Sequence, residues 1–273
     1  MNSLLSMSRC LLAALAAFLL ALPAAAQGDG AYWRDTFAVP GTSYVPMTLP
    51  YEGAYAVARQ GSTLYVGGRF ADVDGVPVRN VARWDGAQWD PLGGGLNGIV
   101  EDLLVTADGS LYATGWFTVA YQTDGAALTV NQVARWDGTA WHALGAGLYP
   151  AMAYGTALAP RPGGGVYVAG AGLEGGAYPG GSVMLGGGVI GWTGAAWAPI
   201  GSVYGEVSAL ALSPTGDLYV GGNVTGAISP GGATINQRGV LRWNGAAWAL
   251  VGGGGPEYWV HALDKRPRRP VPA

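Results

Sequence analysis

Tryptophan recurs in pairs five residues apart, four times in tandem: Trp84 and Trp89, Trp136 and Trp141, Trp192 and Trp197, Trp243 and Trp248. The first members of successive pairs are separated by 52, 56 and 51 residues. A period of that size marks a repeat architecture, in which each copy buries its apolar face only against a neighbour. A second run precedes each pair: Leu64-Tyr65-Val66-Gly67-Gly68, Leu111-Tyr112-Ala113-Thr114-Gly115, Val166-Tyr167-Val168-Ala169-Gly170 and Leu218-Tyr219-Val220-Gly221-Gly222.

Each copy reads as four strands. The first is an apolar stretch such as Val100–Val105 or Val207–Leu212, and the second is the Leu-Tyr-Val run ending at glycine. The third is of the type Val81-Ala82-Arg83-Trp84, and the fourth contains the second tryptophan. Between third and fourth strands lies Asp85-Gly86, Asp137-Gly138, Thr193-Gly194 or Asn244-Gly245, a two-residue hairpin signal. A hairpin centred there pairs Trp84 with Ala87 and Ala82 with Trp89, placing both tryptophans on one face.

Four short antiparallel strands in about 50 residues is the size of a propeller blade. The wording LYVGGRF, then NVARWDGAQW, then PLGGGLNG resembles the kelch motif. It is similar to the repeats of secreted bacterial surface proteins and of the fungal cortical cell-polarity marker family. The resemblance runs from about Tyr51 to Gly255 and implies an all-β, kelch-like β-propeller. The expectation is four complete four-stranded blades, at about 54–96, 97–148, 149–201 and 202–255, within a repeat region of 27–263. Partial strands are expected at 31–40 and 258–263, since Val260-His261-Ala262-Leu263 echoes Val207-Ser208-Ala209-Leu210. Gly67, Gly68, Gly221 and Gly222, with the eight paired tryptophans, are read as structural repeat residues.

The two ends differ from the repeats. Met1 to Arg9 is short, Cys10–Leu22 is apolar, and Ala24-Ala25-Ala26 supplies small residues, which reads as a signal peptide over 1–26. Its 13-residue apolar run is shorter than the roughly 20 residues a membrane span needs. Cys10 precedes that run, which argues against lipidation, and it is the one cysteine of the chain. Cleavage would leave 13 basic against 17 acidic residues, a net charge of −4 with no pull on nucleic acid. At the other end, 264–273 is a basic, proline-rich tail beginning Asp264-Lys265-Arg266-Pro267. That shift in composition suggests a fragment of a larger ring. The expected address is export: secreted, periplasmic or cell-surface.

No residue cluster in the sequence assembles a catalytic, metal or cofactor site. Asp72-Val73-Asp74-Gly75 has part of a calcium-loop spacing but lacks the distal glutamate, so a polar turn is expected. Asp85, Asp137 and Asn244 precede glycine in hairpins, and the third copy uses Thr193 there, which favours a turn role. His142 reads as an outward strand residue, and Arg83, Arg135 and Arg242 as cations lying beside aromatic neighbours. Without a mature cysteine, the cross-linked copper site of kelch-type oxidases is excluded. The connections between second and third strands, 71–80, 118–131, 171–188 and 225–236, vary most and are expected to carry recognition. The longest holds Leu173, Tyr178 and Met184, read as a ligand-facing loop. The functional expectation is a non-enzymatic binding or scaffold propeller recognising an unknown protein or glycan. The alternative is a carbohydrate-active enzyme on the loop face, to be tested at Glu101 and Asp102.

Overall fold

The computed structural model describes residues 53–148, 154–171, 188–252, 260, 261 and 263. The signal segment, the 31–40 strand, the loop with Leu173, Tyr178 and Met184, and the tail from 264 lie outside the described residues. The described residues are all β, with no helix. They contain four antiparallel sheets whose first four strands follow the repeat. Blade 1 comprises Gly53–Gln60, Thr63–Arg69, Val81–Trp84 and Trp89–Pro91; blade 2 comprises Ile99–Val105, Leu111–Trp116, Val133–Trp136 and Trp141–Ala143. Blade 3 comprises Tyr154–Pro160, Val166–Ala171, Val189–Trp192 and Trp197–Ala198; blade 4 comprises Ser202–Leu212, Leu218–Ile228, Leu241–Trp243 and Trp248–Leu250. In each, neighbours in sequence are neighbours in the sheet, as in a propeller blade.

The chain divides into two compact units. One runs to Val130 and adds Ala134–His142; the other takes Asn131–Val133 and the chain from Ala143 onward. Within the first unit, the first two strands of blade 1 pack on the first strand of blade 2. Within the second, the first two strands of blade 3 pack on the first strand of blade 4. The core of the second unit joins Ala157, Ala169, Val207, Val220, Leu241 and Trp248.

The glycine doublet has two separate jobs. A Cβ at Gly67 would lie 2.5 Å from Val100 Cγ1, so the first glycine lets the next blade approach. The same relation holds for Gly221 and Val260, at 2.8 Å. The second glycine answers a β-bulge that recurs in every first strand, between Ala54 and Ala56, Val100 and Asp102, Gly155 and Ala157, and Val207 and Ala209. A Cβ at Gly68, Gly115, Gly170 or Gly222 would collide with the carbonyl oxygen of Gly53, Ile99, Tyr154 or Glu206 respectively. Hence this glycine is kept in all four copies, while the first becomes Thr114 and Ala169 in blades 2 and 3.

The tryptophan hairpins depart from the sequence expectation by one step. Trp84 pairs directly with Trp89, Trp192 with Trp197, and Trp243 with Trp248. The loop is therefore four residues, not two. In blade 1, Asp85 Oδ1 accepts from the amides of Ala87 (2.7 Å) and Gln88 (2.9 Å), which stabilises the longer turn. Asp137, Thr193 and Asn244 accept in the same way. Each pair still shares a face, with ring centroids 5.1–5.4 Å apart.

The second tryptophan of a repeat also ties it to the one before. Trp141 Nε1 donates to the Leu92 carbonyl (2.9 Å), Trp197 Nε1 to Leu144 (2.8 Å) and Trp248 Nε1 to Ile200 (2.6 Å). Each acceptor lies three residues past the preceding outer tryptophan. Val260 sits against blade 4 through Gly221, donates its amide to Gly222 (3.2 Å) and accepts from Ser208 Oγ (2.9 Å).

Candidate functional site

The connections between second and third strands are built, not loose. Asp72–Val73 and Val76–Pro77 form a small hairpin whose turn residues, Asp74 and Gly75, both have positive φ (51° and 77°). Val73 is fully buried beneath it. The partial calcium spacing is thus a turn. In blade 2, Val119–Tyr121 pairs with Ala127–Thr129 on one side and with Gly95–Leu96 of the link between blades on the other.

These pieces enclose an open groove of roughly 790 Å³, lined in part by Arg69, Phe70, Arg79, Asn97, Trp116 and Tyr121. Two asparagines build its wall. Asn80, at φ 63°, accepts from the Phe70 amide (3.1 Å) and donates to the Leu96 carbonyl (2.9 Å). Asn97 Oδ1 accepts from the amides of Thr118 (2.8 Å) and Val119 (2.9 Å). Both are committed to the backbone, which fixes the groove's shape. Aromatic and cationic side chains line the rest of it. Trp116 is 47% exposed, a rarity among the large apolar side chains described. The Arg79 guanidinium lies 4.5 Å from the centre of the Tyr121 ring, a cation–π contact that holds it over the groove. Arg69 follows the glycine doublet of blade 1 at the position Trp116 holds in blade 2. No carboxylate is among the described lining residues.

The other polar residues singled out in the sequence lie elsewhere. Arg83 pairs with Asp90 at 2.8 Å, and that hydrogen bond holds its guanidinium pKa above the ordinary value. Arg242 lies 3.9 Å from Asp217, and Arg135 donates to Ser110 Oγ (3.4 Å). His142 Nε2 lies 2.6 Å from Asp137 Oδ2, on a partly exposed surface. The Ala140 amide, then His142 and Thr139, hold the Asp137 carboxyl well below its usual range. Burial pushes the phenols of Tyr65, Tyr112 and Tyr167 up. Among the described residues no three His, Cys, Asp or Glu side chains come together as metal ligands. None of the described residues forms a helix long and apolar enough to cross a membrane.

Neither a family model nor a curated protein matches the chain. Solved structures with a similar fold include the extracellular domain of a putative one component system from B. thetaiotaomicron, at TM-score 0.48 and 12% identity. The match covers 81% of this chain and 25% of that one, so the chain spans about a quarter of that domain's length. A catalytically inactive virginiamycin B lyase from Staphylococcus aureus with quinupristin gives 0.42 and 11%, over 77% of this chain and 73% of that one. YCF48 bound to D1 peptide gives 0.35 and 19%, over 81% and 71%.

Proposed function

We propose that this chain is an exported, kelch-like propeller module that binds a ligand without transforming it, and that the groove of the first unit is its recognition site. The observation that carries this reading is an exposed Trp116 on a rigid rim, beside Arg69 and the ring-held Arg79. A flat aromatic face and two guanidinium groups suit an acidic glycan. The indole covers the apolar face of a sugar ring, and the guanidinium forks meet its carboxylates or sulfates. The Trp pair and glycine doublet support the kelch-like reading of the repeat, and the apolar leader supports export.

An array of acidic and neutral glycans, probed with the chain and with Trp116→Ala, tests the proposal. Acidic glycans retained by the parent and lost by the variant are expected. Equal retention by both overturns the groove assignment. Capture of proteins alone, with no glycan, replaces the glycan by a peptide ligand. Turnover of a glycoside that disappears on changing Glu101 or Asp102 overturns the non-enzymatic reading.

A further inference from the structure

Blade 1 carries a bonding face with no described partner. In blade 4 both indoles are satisfied by blade 3: Trp248 donates to the Ile200 carbonyl, and Trp243 to the Tyr167 hydroxyl. In blade 1 the equivalent nitrogens, Trp89 Nε1 and Trp84 Nε1, are buried and have no hydrogen-bond partner. The surrounding face is apolar: Val66, Ala82 and Trp89 are buried in one cluster with Phe70, Val73 and Val78, and Val57, Leu64 and Trp84 pack against it half-buried. A buried, unmatched donor in such a face calls for an acceptor.

The rest of the chain specifies what that acceptor is. Every outer tryptophan opens an aromatic-x-x-apolar-Gly run: Trp89 to Gly93, Trp141 to Gly145, Trp197 to Gly201 and Trp248 to Gly252. The fourth residue of the run supplies the carbonyl for the next repeat, as Leu92, Leu144 and Ile200 do. Phe37-Ala38-Val39-Pro40-Gly41 has the same pattern and stands 52 residues before Trp89, the interval that separates Trp89 from Trp141. Tyr32 stands five residues before Phe37, in the place of the first tryptophan of a pair. We propose that the segment Tyr32–Gly41 docks against the indole-bearing edge of blade 1 as an incomplete preceding repeat, with the Pro40 carbonyl accepting the Trp89 indole N–H. The segment aligns with third and fourth strands only, so it has no counterpart of Tyr167, and Trp84 Nε1 stays unmatched.

The test follows indole N–H exchange and chemical shift in the full chain labelled with ¹⁵N-tryptophan, each signal assigned by Trp→Phe substitution. Trp89 is expected to exchange as slowly as Trp141 and Trp248. In Phe37→Ser, and in a second variant lacking residues 31–41, Trp89 exchange should accelerate at least tenfold with a change in its shift. Trp141 and Trp248 should stay protected in both, which verifies that the blades remain folded. Unchanged Trp89 signals in both variants overturn the proposal. Protection of Trp89 that grows with protein concentration also overturns it, by assigning the face to a second copy.

Discussion

Blades 2 and 4 lay the same roof over different residues. In blade 2, Ala120 and Tyr121 pair with Leu96 and Gly95; in blade 4, Ala227 and Ile228 pair with Val203 and Ser202. Both insertions then make the same tight turn, closed by Gly125 to Gln122 and by Gly232 to Ser229. The residue opening that turn also bonds the outer tryptophan's amide: Gln122 Oε1 accepts from Trp141, and Ser229 Oγ from Trp248. Phe117 and Val224 are buried in equivalent places. Buried and paired positions change residue while keeping their role, whereas the position after the bulge glycine changes character outright, with Trp116 in blade 2 and Asn223 in blade 4. The scaffold is therefore repeated while its outward residues are individual, which is how a repeat protein can acquire one site among several similar blades.

The largest effect should fall where the two blades are the same. Gly115→Val and Gly222→Val each drive a side chain into a backbone carbonyl, and each should cost about 3 kcal/mol or more in thermal or denaturant unfolding. Tolerance of one and not the other would break the equivalence of the bulges. Next, Trp141→Phe and Trp248→Phe leave the Leu92 and Ile200 carbonyls without their buried donors. Each should lose about 1–3 kcal/mol, measured by the same unfolding transition. The third contrast concerns binding alone. Trp116→Ala should weaken retention of an acidic glycan roughly tenfold to a hundredfold, about 1.4–2.8 kcal/mol. Asn223→Ala should leave it unchanged in titration calorimetry.

The smallest effect is a difference in acid response. Asp137 in blade 2 and Asn244 in blade 4 accept the same pair of turn amides. The Asp137 carboxyl is held below the ordinary aspartate value, chiefly by the Ala140 amide. Its contribution is therefore complete above that value and is lost as pH falls through the lower, folded one. The protection of the Thr139 and Ala140 amides, relative to their intrinsic exchange at each pH, should fall on acidification below about pH 4, and Asp137→Asn should remove that dependence. The turn of Asn244 should show none in either form. Equal acid sensitivity in the two turns would contradict the pairing.

The sheets were legible because their demands are met by residue types with few substitutes. Close blade approach asks for Gly67 and Gly221, the bulge for a glycine opposite it, and the face for two indoles. The hairpin register was misjudged because Asp-Gly also suits a two-residue turn. Only the paired amides on Asp85 Oδ1 distinguish the longer loop. The bulge itself was not read, although three of its residues, Tyr55, Thr156 and Ser208, carry a hydroxyl and only Glu101 does not, and Thr156 and Ser208 donate to the Val207 and Val260 carbonyls in the same way. The groove was missed as well. Sequence length drew attention to the loop of Leu173, Tyr178 and Met184, while Trp116 was absorbed into the repeat pattern. The available signal was a substitution within the alignment: Trp116 occupies the place of Arg69 and Asn223, neither of them aromatic.

The tie between outer tryptophan and preceding carbonyl, made by Trp141, Trp197 and Trp248, gives the repeat a head and a tail. A copy inserted in frame by gene duplication brings its own donor for the repeat before it and its own acceptor for the repeat after it. Growth by whole repeats then requires no accommodating mutation at either junction, whereas gain or loss of half a repeat strands an indole in the interior. Quality control of repeat expansion is thereby written into a single hydrogen bond, Trp141 to Leu92 and its successors.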